Sequence, residues 1–172
     1  CIRDRGDRLY HCWKNNGHGS MNVSDAIKES CDVFFYEISK KIGIDKIARV
    51  AEDFGLGKIY DVPLPNQKKG IIPSRDWKKK KYDESWYPGE TLISAIGQGF
   101  VLTNPLQLAV MTSIIASNGK NVKPNIIKQN NDIEFEKLEK YQNAIQIIKS
   151  SMFKVVNDLS LIHISEPTRP NE

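Results

Sequence analysis

The sequence has 172 residues, of which 40% are hydrophobic and 27% charged. These values are typical of a folded globular domain and exclude an intrinsically disordered chain. Its 25 Lys and Arg against 21 Asp and Glu leave a formal charge of +4, and acidic residues are interspersed with the basic ones, so nucleic acid is not expected as a partner. No apolar run approaches the ~18 residues that a membrane span needs. The chain begins at Cys1 without a start Met or a signal-peptide pattern, and we expect it to be a fragment of a longer protein.

Residues 1–20 are polar and interrupted by glycines, which indicates ordered loop or short strand. Helical signals begin at Asn22. Either Asn22 or Ser24 can cap a helix, and Asp25 suits its positive N-terminal end.

A tight corner is predicted at residues 30–32, followed by a second helix. The apolar stripe of that helix begins at Val33, and Gly43 is a suitable residue just beyond its C-terminus. A third helix is predicted to begin at Asp45 and to end at Gly55.

Residues 57–89 contain several prolines and the lysine run 78–81, and we predict a long irregular excursion here. The run could bind an anionic surface, but no aromatic stacking platform accompanies it, so a solvated loop face is the favoured interpretation. Two further helices are predicted, at 104–117 with Asn104 as cap and at 141–156.

The last 14 residues do not continue the sequence pattern of the rest and resemble translated adapter sequence. We therefore expect one partial domain over residues 1–158 and a non-native tail over residues 159–172.

The three cysteines lie in the first fifth of the chain. Cys1, Cys12 and Cys31, together with His18, would make a complete tetrahedral ligand set for structural zinc. Their spacing matches no short zinc-finger rule, however. Two alternatives stay open: a Cys1–Cys12 disulfide with Cys31 buried, or three unrelated small hydrophobic side chains.

Ser30 and Asp32 flank the predicted corner and could both face a cleft. A Ser-x-Asn/Asp pair is one of three elements in the serine acyl-transfer apparatus of β-lactamases and penicillin-binding proteins. Taken alone, the tripeptide is more typical of a helix cap.

Eight short segments, taken together, carry a family resemblance. They lie at residues 10–14, 17–19, 29–36, 43–47, 54–57, 86–91, 96–99 and 103–107. In this order they closely resemble the transpeptidase domain of class B penicillin-binding proteins, and within that class the penicillin-binding protein 2 group of cell-wall elongation.

The resemblance implies an α+β fold, the serine D,D-peptidase/β-lactamase-like transpeptidase fold, with this fragment forming mostly its helical lobe. It implies a peptidoglycan D,D-transpeptidase that cross-links stem peptides by serine acyl transfer and that β-lactams acylate. Two alternatives are a hydrolytic relative (a D,D-carboxypeptidase or β-lactamase) and a non-catalytic penicillin-sensing domain. It further implies elongation proteins as partners, an inner-membrane anchor and a periplasmic location.

The resemblance also implies roles for individual residues. Ser30 would be the second-motif hydroxyl in the proton-relay network of the nucleophile. Asp32, where many relatives have Asn, would hold the catalytic lysine and the substrate. Gly97, Gln98 and Gly99 would form a tight supporting loop.

Members of this group carry a zinc site beside the second motif. Cys12, His18 and Cys31 match its ligand positions. The expected fourth ligand is Cys1 or a nearby carboxylate, Asp4 or Asp7.

Two family motifs do not match within the chain. We expect the nucleophilic Ser-x-x-Lys before Cys1 and Lys-Ser/Thr-Gly after residue 157 in the complete protein, which would leave this fragment inactive alone. Two Ser-x-x-Lys matches, at 117–120 and 151–154, lie on the wrong side of Ser30 and are interpreted as accidental.

Overall fold

The computed structural model describes residues 2–5, 8–126 and 136–158. Within these ranges the chain is mostly helical, with one short antiparallel hairpin in which Ile2 pairs with His11. The elements in chain order are β1 (Ile2–Arg5), β2 (Arg8–His11), α1 (Val23–Lys28), α2 (Asp32–Ile42), α3 (Ile44–Asp53), α4 (Arg75–Tyr82), α5 (Pro88–Ala95), α6 (Pro105–Ala116), a 3-10 turn (Glu139–Tyr141) and α7 (Gln142–Asn157). No helix in the part of the chain described is long and apolar enough to cross a membrane.

The chain divides into two compact units, the first made of the residues up to Phe34 and from Asn143 onwards, the second of Phe35–Gln142. Buried side chains of the first unit include Ala26, Cys31 and Ile145. The second unit has its own core, whose largest fully buried side chains include Ile44, Pro73, Gln107 and Ile114.

The helices predicted from caps are confirmed. The Asn22 side chain accepts from the Asp25 N–H at 2.9 Å and starts α1. Asn104 accepts from the Gln107 N–H at 2.9 Å, with Pro105 in the first turn of α6. Each cap satisfies one of the N–H groups that a helix start leaves without an intrahelical partner.

The prediction of an irregular excursion over residues 57–89 is wrong in part, because α4 and the start of α5 lie inside it. The Ser74 side chain accepts from the Trp77 N–H at 3.1 Å and caps α4. Pro88 occupies the first position of α5, where its missing N–H costs nothing.

The prediction of a solvated loop face for the lysine run is wrong for Lys78, which is only 2% exposed. Its Nζ lies 2.6 Å from Glu90 and 3.5 Å from Glu84, and 4.3 Å from the centre of the Tyr87 ring. Burial by itself lowers the pKa of Lys78, but the hydrogen bonds and charges of the two carboxylates raise that pKa overall. Lys78 therefore connects α4 to the start of α5 as a buried ion pair.

Gln107 orders the rest of the excursion although its side chain is fully buried. Its Nε2 donates to the carbonyl oxygens of Lys58 and Lys69 at 2.7 and 2.8 Å, and its Oε1 accepts from the Gly57 N–H at 3.3 Å. One carboxamide thus satisfies three backbone groups of a segment that has few ladder hydrogen bonds of its own.

Candidate functional site

The corner that carries Ser30 is the C-terminal end of α1, in the first unit. The Ser30 N–H donates to the Ile27 carbonyl at 3.3 Å, and the Cys31 N–H donates to the Ala26 carbonyl at 2.9 Å. These two bonds form a Schellman motif, whose geometry places Ser30 in the left-handed region with φ of +49°.

Within the second unit, α3, α5 and α6 end in the same two-bond pattern. The residues equivalent to Ser30 are Gly55, Gly97 and Asn118, with φ of +91°, +75° and +59°. Glycine and asparagine tolerate this conformation, whereas it costs other residues about 1–2 kcal/mol. Ser30 is the exception among these four helix ends, and such strain is concentrated at functional sites in proteins.

Asp32 is the first residue of α2 and lies directly after Cys31. Its half-buried side chain is at the positive end of the helix dipole, which favours a carboxylate there. Ser30 and Asp32 therefore flank a buried residue on a short segment that is held at both ends by helices. The sequence prediction of a tight corner at this point is confirmed.

Trp13 joins this corner to the loop after β2. Its indole Nε1–H donates to the carbonyl oxygens of both Glu29 and Ser30, at 2.9 and 3.1 Å. Its ring also meets the His18 ring edge-on, with centroids 5.4 Å apart and an interplanar angle of 66°. Trp13 lies in one of the eight segments of the family resemblance, but no local signal in the sequence assigns it this contact.

The structure brings together three of the four residues predicted to bind zinc. Ligand atoms of Cys12, His18 and Cys31 all lie within 4.8 Å of one another, and the Cys12 Sγ is 3.4 Å from the His18 Nδ1. Both thiols are free and buried. Cys1, Asp7 and the side chain of Asp4 lie outside the described residues, so the identity of the fourth ligand stays a prediction.

The donor set and its spacing fit a zinc ion. Around tetrahedral zinc, with Zn–S near 2.3 Å and Zn–N near 2.0 Å, ligand atoms are separated by about 3.5–3.8 Å. Small side-chain shifts would bring the three groups to that separation. In addition, the buried His18 Nε2 has no hydrogen-bond partner among the described residues, which is costly for a polar atom unless something satisfies it.

The surroundings of the Cys31 thiol favour its neutral form. Burial raises its pKa, a hydrogen bond from the Phe34 backbone N–H opposes that change, and the neighbouring Cys12 raises the pKa further. A metal ion would invert this balance, because it binds thiolate.

Gly97, Gln98 and Gly99 lie in the second unit, just beyond α5. The Gly97 N–H donates to the Ser94 carbonyl at 3.0 Å, and the Gln98 N–H donates to the Ile93 carbonyl at 3.1 Å. The predicted tight loop is therefore present, and its supporting role in the active site stays a prediction.

The two other Ser-x-x-Lys matches have structural explanations. Ser151 is completely buried, and its hydroxyl lies 2.7 Å from the Ile147 carbonyl and 3.1 Å from the Ser24 hydroxyl. Ser117 ends α6, and its hydroxyl donates to the Ile114 carbonyl. Both hydroxyls are therefore bonded to carbonyls of their own helices, and Ser151 is also removed from solvent.

Comparison with known proteins decides the family. The profile of the penicillin binding protein transpeptidase domain matches residues 2–164. The chain belongs to this family. Its fold class is accordingly the one that the sequence predicted, and the described part is mostly helical.

Individual relatives agree with this assignment. The chain is 38% identical over 120 residues to the peptidoglycan D,D-transpeptidase MrdA of Salmonella typhimurium, covering 70% of this chain and 19% of that protein. A solved penicillin-binding protein (PBP2) from Helicobacter pylori superposes with a TM-score of 0.83 at 35% identity, covering 91% of this chain and 30% of that one. A complex between PBP2 and MreC from the same organism gives the same TM-score and identity, with 29% of that chain covered. The matched part of the chain thus spans 19–30% of the length of these proteins.

Proposed function

We propose that this chain is part of a peptidoglycan D,D-transpeptidase that cross-links stem peptides during cell-wall elongation. The observation that carries the proposal is the strained Ser30 between α1 and α2. In a chain of this family, Ser30 would supply the second-motif hydroxyl of the acyl-transfer apparatus. The similarity to proteins named MrdA and PBP2 supports the elongation branch over other branches.

In the proposed reaction, the serine nucleophile of the complete protein attacks the carbonyl of the penultimate D-Ala of a stem peptide. The terminal D-Ala leaves with a proton, and an amine of a neighbouring strand then takes the acyl group and releases the serine. Ser30 would relay the proton through its hydroxyl, and Asp32 would accept hydrogen bonds from the catalytic lysine and the substrate amide.

Zinc, when bound by Cys12, His18 and Cys31 with a fourth ligand, would supply no chemistry to the reaction. A closed thiolate–imidazole site contributes folding free energy, and here it would fix the residue between Ser30 and Asp32. We further propose an inner-membrane anchor elsewhere in the complete protein and a periplasmic location for this part. Since one PBP2 was solved in complex with MreC, a related elongation protein is the proposed partner, with β-lactams as inhibitors.

The role of Ser30 is tested by acylation of the complete protein with a fluorescent penicillin. Ser30→Ala should slow acylation by ~10²–10⁴-fold, the range typical of positioned acid–base groups. Asp32→Asn keeps the shape of the side chain and should have a smaller effect. Equal rates for Ser30→Ala and the unmodified protein would overturn the proposed role.

The metal is tested by elemental analysis of the purified protein and by thiol titration. We expect one zinc per chain, and Cys31→Ser should remove it. The substitution should act mainly on stability, by lowering the unfolding temperature, and should slow acylation only indirectly. A zinc-free protein with full acylation activity would contradict the zinc proposal and leave the transpeptidase proposal intact.

A further inference from the structure

Ser30 adopts an unfavourable backbone conformation, and Trp13 contacts it from outside its own helix end. The indole N–H of Trp13 lies 2.9 Å from the Glu29 carbonyl oxygen and 3.1 Å from the Ser30 carbonyl oxygen. We propose that Trp13 is a positioning residue that holds Ser30 in its left-handed conformation and thereby aims its hydroxyl. This inference rests on the proposed role of Ser30 in acyl transfer.

The geometry of the two acceptors explains why one donor has this effect. The Glu29 carbonyl belongs to the peptide plane before the Ser30 Cα, and the Ser30 carbonyl belongs to the plane after it. The φ and ψ of Ser30 set the angle between these planes. A single N–H can donate to two acceptors only when both point towards it, so the bridge excludes an extended Ser30, in which successive carbonyls point in opposite directions. The two Schellman bonds exclude the right-handed form, and the bridge and these bonds together hold the left-handed one.

The bridge also adds to the hydrogen bonding of the helix end. The last carbonyls of a helix lack intrahelical partners, and the Schellman bonds at α1 use those of Ala26 and Ile27. Trp13 supplies a donor to the carbonyls of Glu29 and Ser30, which lie further along the chain. Its side chain is 45% exposed, so burial of its ring is incomplete and the indole N–H is its distinctive contribution at this place.

The position of Trp13 relates the corner to the candidate metal cluster. Trp13 follows Cys12 in the chain and contacts the His18 ring, while Cys31 follows Ser30. Ordering of the candidate metal cluster would therefore restrict the movement of Trp13, through Cys12 and His18, and the movement of the backbone at Cys31. The conformation of Ser30 would be fixed between them.

The test is a double-mutant cycle in the complete protein, measured as the rate constant of acylation by a fluorescent penicillin. Trp13→Phe keeps an aromatic ring and removes the N–H. It should slow acylation by about tenfold, as expected for losing one positioning hydrogen bond in a catalytic site. In the Ser30→Ala background the same substitution should change the rate by less than about twofold, because Trp13 acts through Ser30.

Trp86→Phe is the matched control, since the Trp86 Nε1–H also donates a hydrogen bond, to the Thr91 Oγ1 at 2.8 Å. Its effect on acylation should be the same with Ser30 present or replaced. Thermal unfolding of every variant is measured alongside. If Trp13→Phe fails to fold, 3-benzothienylalanine at position 13 keeps the bicyclic ring and replaces only the N–H by sulfur.

The outcomes separate this inference from the function on which it rests. If Ser30→Ala slows acylation and the effect of Trp13→Phe is the same in both backgrounds, Trp13 is a stabilising residue only, and the inference fails alone. If Ser30→Ala leaves acylation unchanged, the proposed role of Ser30 fails, and the inference fails with it.

Discussion

The left-handed conformation of Ser30 lowers stability, while its hydroxyl has a proposed role in acyl transfer. Among the helices that the structure describes, four end in the same two-bond pattern, and the three equivalents of Ser30 are Gly55, Gly97 and Asn118. Those residues suit a left-handed backbone, and serine does not. The serine at this corner therefore costs conformational free energy, as is common for residues at active sites, and this agrees with the role proposed for its hydroxyl.

Ser30→Gly should therefore stabilise the protein and inactivate it. Relief of the left-handed strain should increase the free energy of unfolding by about 0.5–1 kcal/mol, while loss of the hydroxyl should slow acylation as severely as Ser30→Ala does. Thermal unfolding and penicillin acylation of the same sample provide both measurements.

Ser30→Ala is the control for that prediction, because alanine has a Cβ and keeps the strain. It should lose activity without the gain in stability. A Ser30→Gly protein no more stable than Ser30→Ala would show that the corner is not strained.

Contacts between a side chain and its neighbours in the sequence could be predicted. Asn22 and Asn104 cap the helices that follow them, and this interaction depends on residues three positions apart. The bridge from Trp13 to the Ser30 carbonyl spans 17 positions, and nothing in the local pattern encodes it. Spacing alone did not bring Cys12, His18 and Cys31 together. The family resemblance matched them to ligand positions, and the fold shows that they meet.

Helix α4 was missed because its amino-acid composition is more typical of a solvated loop. Its sequence contains four consecutive lysines, which indicated a solvated loop, yet Ser74 caps it and Lys78 is buried against Glu90. The cap and Pro88 at the start of α5 were usable signals, since both residue types favour helix starts. The burial of Lys78 was not predictable, because its partners follow α4 and belong to a different element.

Lys78→Ala should lower the unfolding temperature of the protein by several degrees. It would leave the mostly buried Glu90 carboxylate without its 2.6 Å partner, and removing one member of a buried ion pair leaves an uncompensated charge. Lys80→Ala, on the exposed side of the same helix, is the matched control and should leave the unfolding temperature unchanged. Equal effects of the two substitutions would show that the ion pair does not stabilise this region.

At the scale of the whole chain, the fold class and the family followed from eight segments in a fixed order, and the family profile over residues 2–164 confirms them. The division into two compact units was not predicted. Periodicity reports which face of a helix is buried but not which helices share a core, so the grouping of α7 with α1 in the first unit had no sequence signal.

The 172-residue chain alone should form no covalent adduct with penicillin. Its Ser-x-x-Lys matches lie at helix positions where Ser117 and Ser151 hydroxyls bond to backbone carbonyls, and family members place the nucleophile before the second motif. Incubation with a fluorescent penicillin followed by denaturing electrophoresis checks this, with the complete protein as positive control. A labelled band at 19.6 kDa would refute the assignment of the motifs.

The contrast within the lysine run has a further use in chemical footprinting. An acylating reagent modifies accessible lysine side chains through their unprotonated amines, and Lys79, Lys80 and Lys81 are exposed whereas Lys78 is 2% exposed and ion-paired. In the folded protein, mass spectrometry should find three of these four neighbouring lysines modified quickly and one protected. Because the four share one stretch of sequence, each modified neighbour is an internal standard for the protected one, and the ratio reports how often the α4–α5 connection opens in solution.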